Sequence, residues 1–284
     1  MLSKIKRVLR QIVCGRKILM PINIPIYKSN LLAGRRAFVT GGTGGIGRAI
    51  AIAFVRSGAR VCISGRNQKR VDSIITEIKR EIGEDQAENS IFGIELDNTK
   101  DQLFDSAITH VNELLGGLDV LVNNAGLVKG RRFGEAESSE YDEIMAANLK
   151  GAFFLSQCVA GKWKINETKG NILNVCSASS LRPGNSAYIL SKWGLRSMTL
   201  GLAKELIPYG IVVNGIAPGA TATEHFAGKM ENGIAYPSNP AGRMATVEEI
   251  ANLAVILVSP LARMVVGDIL YASGGAGVIT FDDV

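Results

Sequence analysis

The sequence of 284 residues is poor in histidine and cysteine and has no long apolar run. Its two histidines, His110 and His225, lie far apart, which argues against a histidine-based metal site. The four cysteines have neither metal-ligand nor paired spacing, so we expect no metal and reduced thiols in a cytoplasmic protein. A membrane-spanning helix needs about 18 or more apolar residues in a row, and the sequence has no such run.

Acidic residues are absent from the first quarter of the chain. Residues 1–71 hold 15 Lys and Arg and no Asp or Glu, whereas the remainder holds 17 basic and 26 acidic residues. The net charge of +6 therefore comes from a basic front end. Part of this charge suits phosphate binding, and part belongs to an N-terminal extension. We expect a small-molecule partner and no nucleic-acid partner.

Residues 1–31 are predicted to form a basic amphipathic extension. Helical spacing places several apolar side chains on one face, with the basic ones mainly off it: Leu2, Ile5, Val8, Leu9, Ile12 and Val13. Helices of this kind rest on anionic membrane surfaces, so residues 1–20 are predicted to make a peripheral membrane contact or to contact a neighbouring subunit. An organelle presequence and a disordered arm are the alternatives.

From residue 32 onward, strand-like segments alternate with helical patterns. The strand segments are 37–40, 61–64, 91–96, 118–122, 170–176, 211–216 and 269–272, and helical segments include 48–57, 71–82, 103–115, 138–162 and 187–206. A further helix ends near residue 258, and Thr246 with Glu249 predicts a capping box at its start. The alternation predicts an α/β fold over residues 32–284: a single-domain, Rossmann-like, doubly wound parallel sheet of about seven strands, with helices on both faces. Residues 220–245 are predicted to form an irregular lid.

A glycine-rich loop follows the first strand. It runs from Gly41 to Gly47 as Gly-Gly-Thr-Gly-Gly-Ile-Gly, with an apolar strand before it and a helical pattern after it. Glycines let the backbone turn tightly and approach a pyrophosphate that rests on the helix N-terminus. A merely flexible turn is the alternative, but the strand and helix on either side favour phosphate binding.

Tyr188 and Lys192 stand four residues apart in a helical segment, so they share one helix face. A nearby cation is expected to lower the pKa of the phenol. A phenol tuned in this way can serve as a general acid or base. Taken alone the pair proves little, because both residue types are common on helix surfaces.

These motifs and four others fall in one order along about residues 32–284. They are Thr40-Gly41 with Gly45-Ile46-Gly47, Asn123-Asn124-Ala125-Gly126, Asn148, Ser177, Tyr188 with Lys192, and Pro218-Gly219. The order resembles that of classical short-chain dehydrogenases/reductases. The resemblance implies four catalytic residues, Asn148, Ser177, Tyr188 and Lys192. It also implies a cofactor site made by Thr40, Gly41, Gly45, Ile46, Gly47, Arg66, Asp97, Asn98, Asn124, Ala125, Gly126, Tyr188, Lys192, Pro218, Gly219, Thr221 and Thr223.

The end of the second strand bears on which nicotinamide cofactor is used. NAD-binding proteins place an acidic residue there to accept hydrogen bonds from the ribose 2′-hydroxyl. This sequence has Gly65 at that position and Arg66 after it, so the strand end has no carboxylate and is followed by a guanidinium group. We expect NADP(H), held through its 2′-phosphate, over NAD(H). A solvated surface arginine is the alternative.

The resemblance assigns roles that the residue pattern alone does not. Asp97 would hold the adenine ring, and Asn123, Ala125 and Gly126 would line the ribose and nicotinamide. Asn148 would hold a water that relays protons toward Lys192, and Ser177 would stabilise the substrate oxygen. Because the segment before Tyr188 is about two residues short, Ser179 and Ser180 compete with Ser177.

The expected function is an NADP(H)-dependent oxidoreductase that interconverts a carbonyl and a secondary alcohol. The substrate would be of the 3-oxoacyl, steroid, quinone or keto-sugar type, and the protein a homo-oligomer, either a dimer or a homotetramer. One alternative is a catalytically silent NADP-binding sensor or scaffold, and another is a sugar-nucleotide epimerase or dehydratase. Lys129, Arg131 and Arg132 would lie near the cleft mouth, where they meet an anionic partner or form a solvated loop.

Overall fold

The computed structural model describes residues 30–83, 89–223 and 233–279. Its centre is a seven-stranded parallel sheet in the order β3-β2-β1-β4-β5-β6-β9. The strands are β1 (Arg36–Val39), β2 (Arg60–Gly65), β3 (Ile91–Glu95), β4 (Val120–Asn123), β5 (Asn171–Val175), β6 (Val212–Pro218) and β9 (Ile269–Ala272). A separate parallel pair joins β7 (Thr221–Ala222) to β8 (Ala245–Thr246). The predicted doubly wound parallel sheet is confirmed.

Helices cover both faces of the sheet. They are α1 (Gly45–Arg56), α2 (Gln68–Ile82), α3 (Phe104–Leu115), α4 (Ser138–Met145), α5 (Gly151–Ile165), α6 (Ala187–Leu206) and α7 (Val247–Val258). One core cluster packs α1, α2 and α7 against one face, and a second packs α3, α5 and the end of α6 against the other. With both faces covered, central strands become continuous apolar runs, as in Val120-Leu121-Val122 of β4.

The predicted helix over residues 138–162 is interrupted. A π-helical turn spans Ala146–Lys150 between α4 and α5, and Asn148 lies within it. Such turns insert one extra residue into a helix and occur frequently at functional sites. Hydrophobic periodicity does not reveal a single inserted residue, so the sequence predicted one continuous helix.

The capping box at the start of α7 is confirmed. The Thr246 hydroxyl accepts a hydrogen bond from the Glu249 amide at 3.2 Å, and the Glu249 carboxylate accepts one from the Thr246 amide at 2.8 Å. Of the predicted irregular lid at 220–245, residues 224–232 lie outside the described part of the chain. Residues 221–222 form β7, residues 233–244 are mostly turns and bends, and residue 245 begins β8. Residues 1–29 of the predicted extension also lie outside it.

Two features are absent from residues 30–83, 89–223 and 233–279. Within these ranges no helix is long and apolar enough to cross a bilayer. The same part of the chain contains no group of three or more His, Cys, Asp or Glu side chains arranged to hold a metal ion.

Candidate active site

A cavity of about 950 Å³ lies at the carboxyl edge of the sheet. Loops that follow β1, β2, β3, β4, β5 and β6 line it. Strand order reverses between β1 and β4, and open α/β sheets bind ligands at such a switch point. The volume lies in the upper part of the range for ligand pockets, roughly 300–1,000 Å³.

The glycine loop between β1 and α1 forms one wall of this cavity. Gly41 and Gly45 have φ angles of +63° and +51°, which favour glycine. A Cβ atom at Gly47 would collide with the Asn124 side chain and the Gly41 carbonyl. At Gly44 a Cβ would meet nothing closer than the Arg70 guanidinium at 4.0 Å, so the backbone there borders open space. Open backbone at a helix N-terminus fits a bound pyrophosphate.

Thr40 and Asn124 join the glycine loop to the loop after β4. The Thr40 hydroxyl accepts hydrogen bonds from the amides of Asn124 and Ala125, each at 3.1 Å. The Asn124 side chain donates to the carbonyls of Thr40 at 2.9 Å and Gly41 at 3.0 Å. Thr40 is fully buried and does not line the cavity. Its hydrogen bonds connect the two loops that do line it.

Two arginines line the end of the cavity beside β2 and β3. Arg66 follows β2, as the sequence indicated, and Arg70 lies in the first turn of α2. The Arg70 guanidinium donates to the Thr43 carbonyl at 3.4 Å, which places it over the glycine loop. Asp97 also lines this end and accepts hydrogen bonds from the amide and hydroxyl of Thr99, both at 2.9 Å. Sequence reasoning did not select Arg70, because its approach to the glycine loop depends on how α2 packs.

Ser177, Tyr188 and Lys192 line the cavity together at its other end. The Ser177 hydroxyl lies close enough to the Tyr188 phenol to influence its pKa, and it accepts a hydrogen bond from the Ser179 amide at 3.1 Å. Ser180 is fully buried and donates to the Ser177 carbonyl at 2.7 Å, so it faces away from the cavity. Ser179 does line the cavity. The structure therefore brings Ser177 to the phenol and leaves Ser179 as a neighbour.

The electrostatics of this end differ from the expectation drawn from the sequence. Burial raises the pKa of Tyr188 above its ordinary value, and the nearby Ser177 hydroxyl opposes that shift. Burial lowers the pKa of Lys192. The Lys192 ammonium donates to the Val175 carbonyl at 2.9 Å and lies 6.0 Å from the centre of the Tyr188 ring. Desolvation therefore dominates the Tyr188 pKa, and Lys192 is not among the groups that lower it, in contrast to what the i, i+4 spacing suggested.

Asn148 is buried in the π-helical turn and does not itself line the cavity. Its side-chain oxygen accepts from the Leu127 amide at 2.6 Å, and its nitrogen donates to the Leu127 carbonyl at 3.0 Å and to the Ser191 hydroxyl at 3.1 Å. Leu127 lines the cavity and Ser191 precedes Lys192. The Asn148 side chain thus ties a cavity loop to the helix that carries Tyr188 and Lys192.

Most of the remaining predicted residues also meet at this cavity. The residues that line it are Ile46, Asn98, Ala125, Gly126, Pro218, Gly219, Thr221 and Thr223. Asn123 is an exception, because its side chain donates into the core, to Ser156 at 2.9 Å and Asn174 at 2.8 Å.

The basic rim predicted at residues 129–132 is largely neutralised. Lys129 forms an ion pair with Glu143, and Arg131 forms one with Glu137. Arg132 is exposed and does not line the cavity. Sequence reasoning did not select Arg182, which does line it.

Comparisons with known proteins agree with this geometry. The family model described as short chain dehydrogenase matches residues 35–233. The chain is 32% identical over 253 residues to a 3-oxoacyl-[acyl-carrier-protein] reductase of Aquifex aeolicus, covering 86% of this chain and 98% of that protein. It is 33% identical over 253 residues to a gluconate 5-dehydrogenase of Gluconobacter oxydans, covering 87% of this chain and 96% of that protein. A short chain dehydrogenase of Burkholderia cenocepacia, solved in complex with NADP, matches with a TM-score of 0.76 and 30% identity, covering 87% of this chain and 99% of that one.

Proposed function

The chain belongs to the short-chain dehydrogenase family of oxidoreductases, and we propose that it is an NADP(H)-dependent enzyme that interconverts a carbonyl and a secondary alcohol. The observation that carries the proposal is the single cavity wall shared by Ser177, Tyr188 and Lys192, facing a glycine loop at the sheet's switch point. A site that only binds a cofactor has no need of a hydroxyl and a phenol held together beside a buried ammonium.

The residues around the cavity fit a bound dinucleotide phosphate. The open backbone at Gly44 suits the pyrophosphate, and Arg66 with Arg70 supplies two guanidinium groups where a 2′-phosphate would lie. A relative of similar fold was solved with NADP, which supports the same preference here. When bound, the nicotinamide supplies or accepts the hydride, and the protein supplies binding and proton transfer.

Tyr188 is proposed as the general acid for reduction. Because burial raises the pKa of its phenol, the proton stays on the Tyr188 Oη atom at neutral pH and is available to the carbonyl oxygen of a substrate. The Ser177 hydroxyl, which lines the cavity beside this phenol, is proposed to donate a hydrogen bond to the same substrate oxygen. In the oxidative direction Tyr188 must first lose its proton, and its phenolate then accepts the proton of the alcohol while Ser177 donates a hydrogen bond to the same oxygen.

Lys192 and Asn148 are proposed to position Tyr188 and Ser177. The Lys192 ammonium is fixed by the Val175 carbonyl and would hold the ribose of the cofactor while biasing the phenol electrostatically. Asn148 fixes Leu127 and Ser191, so its loss would loosen both the cavity loop and the helix of Tyr188. The expected water relay at Asn148 stays a prediction.

The substrate is proposed to be a carbonyl compound of the kinds named for the relatives, among them a 3-oxoacyl group and a keto derivative of gluconate. The test is NADPH oxidation over a panel of ketosteroids, acyl thioesters, quinones and keto-sugars. Turnover of at least one class with matching product formation is expected. Binding of NADPH without turnover of any class would favour a sensor, and conversion of a sugar nucleotide without net NADPH consumption would favour an epimerase or dehydratase.

The contact of residues 1–20 with a membrane or a neighbouring subunit stays a prediction from the sequence. Co-sedimentation with anionic vesicles and measurement of oligomer size, each with and without these residues, would test it. A truncated chain that is unaltered in both measurements would show that neither contact exists.

A further inference from the structure

We propose that Arg182 binds the carboxylate of the substrate, so that the cavity takes an anionic carbonyl compound over a neutral one. The inference rests on the proposed function, because it names the substrate class of the same site. Arg182 lines the cavity five residues after Ser177, and its side chain is exposed there. Guanidinium groups recognise carboxylates through two parallel hydrogen bonds.

Both the amide and the carbonyl group of Arg182 are hydrogen-bonded. Its amide donates to the Ser179 carbonyl at 3.1 Å, and its carbonyl accepts from the Trp193 indole at 2.6 Å. Trp193 follows Lys192 in α6. The root of the arginine side chain therefore has a fixed position relative to Ser177, Tyr188 and Lys192, as a residue that orients a substrate requires.

The charges of the cavity leave Arg182 as the cation available at this end. Six described side chains that line the cavity carry charge: Arg66, Arg70, Asp97, Glu143, Arg182 and Lys192. The first three lie at the cofactor end. Glu143 is paired with Lys129, and Lys192 donates to the Val175 carbonyl. The Arg182 guanidinium makes no hydrogen bond or ion pair with any residue in the described part of the chain.

The same charges favour a small carboxylate over an acidic protein partner. Docking of an acidic protein would need free basic side chains around the mouth of the cavity. Lys129 and Arg131 are instead paired with Glu143 and Glu137, which leaves Arg132 as the one basic side chain of this loop without an ion pair among the described residues. Arg182, by contrast, lines the same cavity as Tyr188, so its guanidinium is available to a small molecule bound there.

The experiment compares acids with neutral partners of the same skeleton. The pairs are 5-keto-D-gluconate with L-sorbose, and acetoacetate and 5-oxohexanoate each with its methyl ester. Each compound is tested by NADPH oxidation and by calorimetric titration of the NADP⁺ complex, using wild-type protein, Arg182→Gln, Arg182→Lys and Arg132→Gln. Arg132 is the matched control, because it is exposed and does not line the cavity.

In the wild-type protein we expect at least one acid to be favoured over its neutral partner. Arg182→Gln should reduce that preference about 10-fold to 100-fold, the range for one charge-assisted contact. Arg182→Lys should keep part of it, since lysine retains the charge but lacks the planar fork, and Arg132→Gln should keep all of it.

Two failures are distinguishable. If no acid of the panel is preferred in either assay, or if Arg182→Gln leaves the preference unchanged, the inference is wrong even where NADPH is oxidised. The titrations could instead show that the wild-type protein prefers an acid and that Arg182→Gln loses this preference, while no compound is turned over. Arg182 would then be an anion-binding residue, and the proposed oxidoreductase activity would be wrong.

Discussion

Arg66 and Arg70 make cofactor choice testable at the level of single side chains. Each guanidinium would lose a charge-assisted contact with a 2′-phosphate on substitution, which costs on the order of 1.5–3 kcal/mol. Arg66→Ala and Arg70→Ala should therefore each weaken NADPH binding at least 10-fold and leave NADH binding nearly unchanged. Affinities for both cofactors, measured by fluorescence titration, check this expectation.

Lys69 provides the control for this pair. It lies between the two arginines in sequence, is exposed and does not line the cavity. Lys69→Ala should leave both affinities unchanged. Equal weakening of NADPH and NADH by Arg66→Ala or Arg70→Ala would show that the arginines do not read the 2′-phosphate.

The features that sequence reasoning missed or misjudged share one physical cause. Arg66 follows from its place at the end of a strand, but Arg70 depends on how α2 lies over the glycine loop. The pairing of Lys129 with Glu143 likewise depends on the fold of the loop after β4. The direction of the Tyr188 pKa depends on burial, and helical spacing carries no information on burial by other elements. Local sequence identified residue types, and tertiary contacts decided what they do.

Helix α1 and the glycine loop give a test at the level of one element. Gly47→Ala would place a methyl group against the Asn124 side chain and the Gly41 carbonyl, and so force the two loops apart. We expect NADPH affinity to fall at least 10-fold and stability to fall by about 1–3 kcal/mol, as overpacking does. Fluorescence titration and urea unfolding measure the two effects.

Gly161→Ala is the matched control, since a Cβ at this α5 position meets no atom within 4 Å. It should raise the free energy of unfolding by about 0.5–1 kcal/mol and leave NADPH binding intact. If Gly47→Ala behaved like Gly161→Ala, the close approach at Gly47 would not matter for binding.

The capping box of α7 stabilises the segment that closes one end of the cavity. Thr246 begins α7 and also pairs, through β8, with the Thr221–Ala222 strand, whose Thr221 lines the cavity. Thr246→Ala removes the side-chain cap and should lower the free energy of unfolding by about 1 kcal/mol. NADPH affinity should fall with it, because β7 and β8 lose one support.

Thr109→Ala, in the middle of α3, controls for loss of a threonine side chain. Its hydroxyl is bonded only to the Asp105 carbonyl one turn earlier, and alanine has the higher helix propensity. Urea unfolding should show no loss of stability for Thr109→Ala. A Thr246→Ala variant as stable as the wild type would show that the cap does not stabilise the protein.

The elements themselves were largely predictable, and their irregularities were not. Buried strands such as β4 and the cap at Thr246 follow from local composition and side-chain chemistry. The π-helical turn around Asn148 does not, because it results from contacts of Asn148 with Leu127 and Ser191 that lie 21 and 43 residues away. A functional group held by distant partners leaves no periodic signature.

For the whole molecule, the alternation of strands and helices was enough to predict the sheet, since parallel strands need crossover helices and leave few arrangements.

Exposed apolar side chains support the predicted homo-oligomer. Phe153 and Phe154 of α5 form an edge-to-face pair and are 42% and 37% exposed. Aromatic surface of this kind is enriched where subunits meet.

Light scattering should therefore give the mass of a dimer or tetramer. Phe153→Glu combined with Phe154→Glu should reduce that mass, because charge is depleted at interface cores. Phe133→Glu, at a side chain 92% exposed on the loop between β4 and α4, is the control and should leave the mass unchanged. A wild-type monomer at micromolar concentration would refute the oligomer.

The central claim, that Tyr188 donates the proton, has one direct measurement: turnover and NADPH affinity of Tyr188→Phe on a substrate found in the panel. The change keeps the ring and removes the dissociable proton. Since general acid catalysis supplies about 10²–10⁴-fold, kcat should fall by at least that range while NADPH affinity stays near the wild-type value. Tyr209→Phe, at an exposed tyrosine that does not line the cavity, should leave both unchanged. A Tyr188→Phe variant that reduces the substrate at a near wild-type rate would contradict the account.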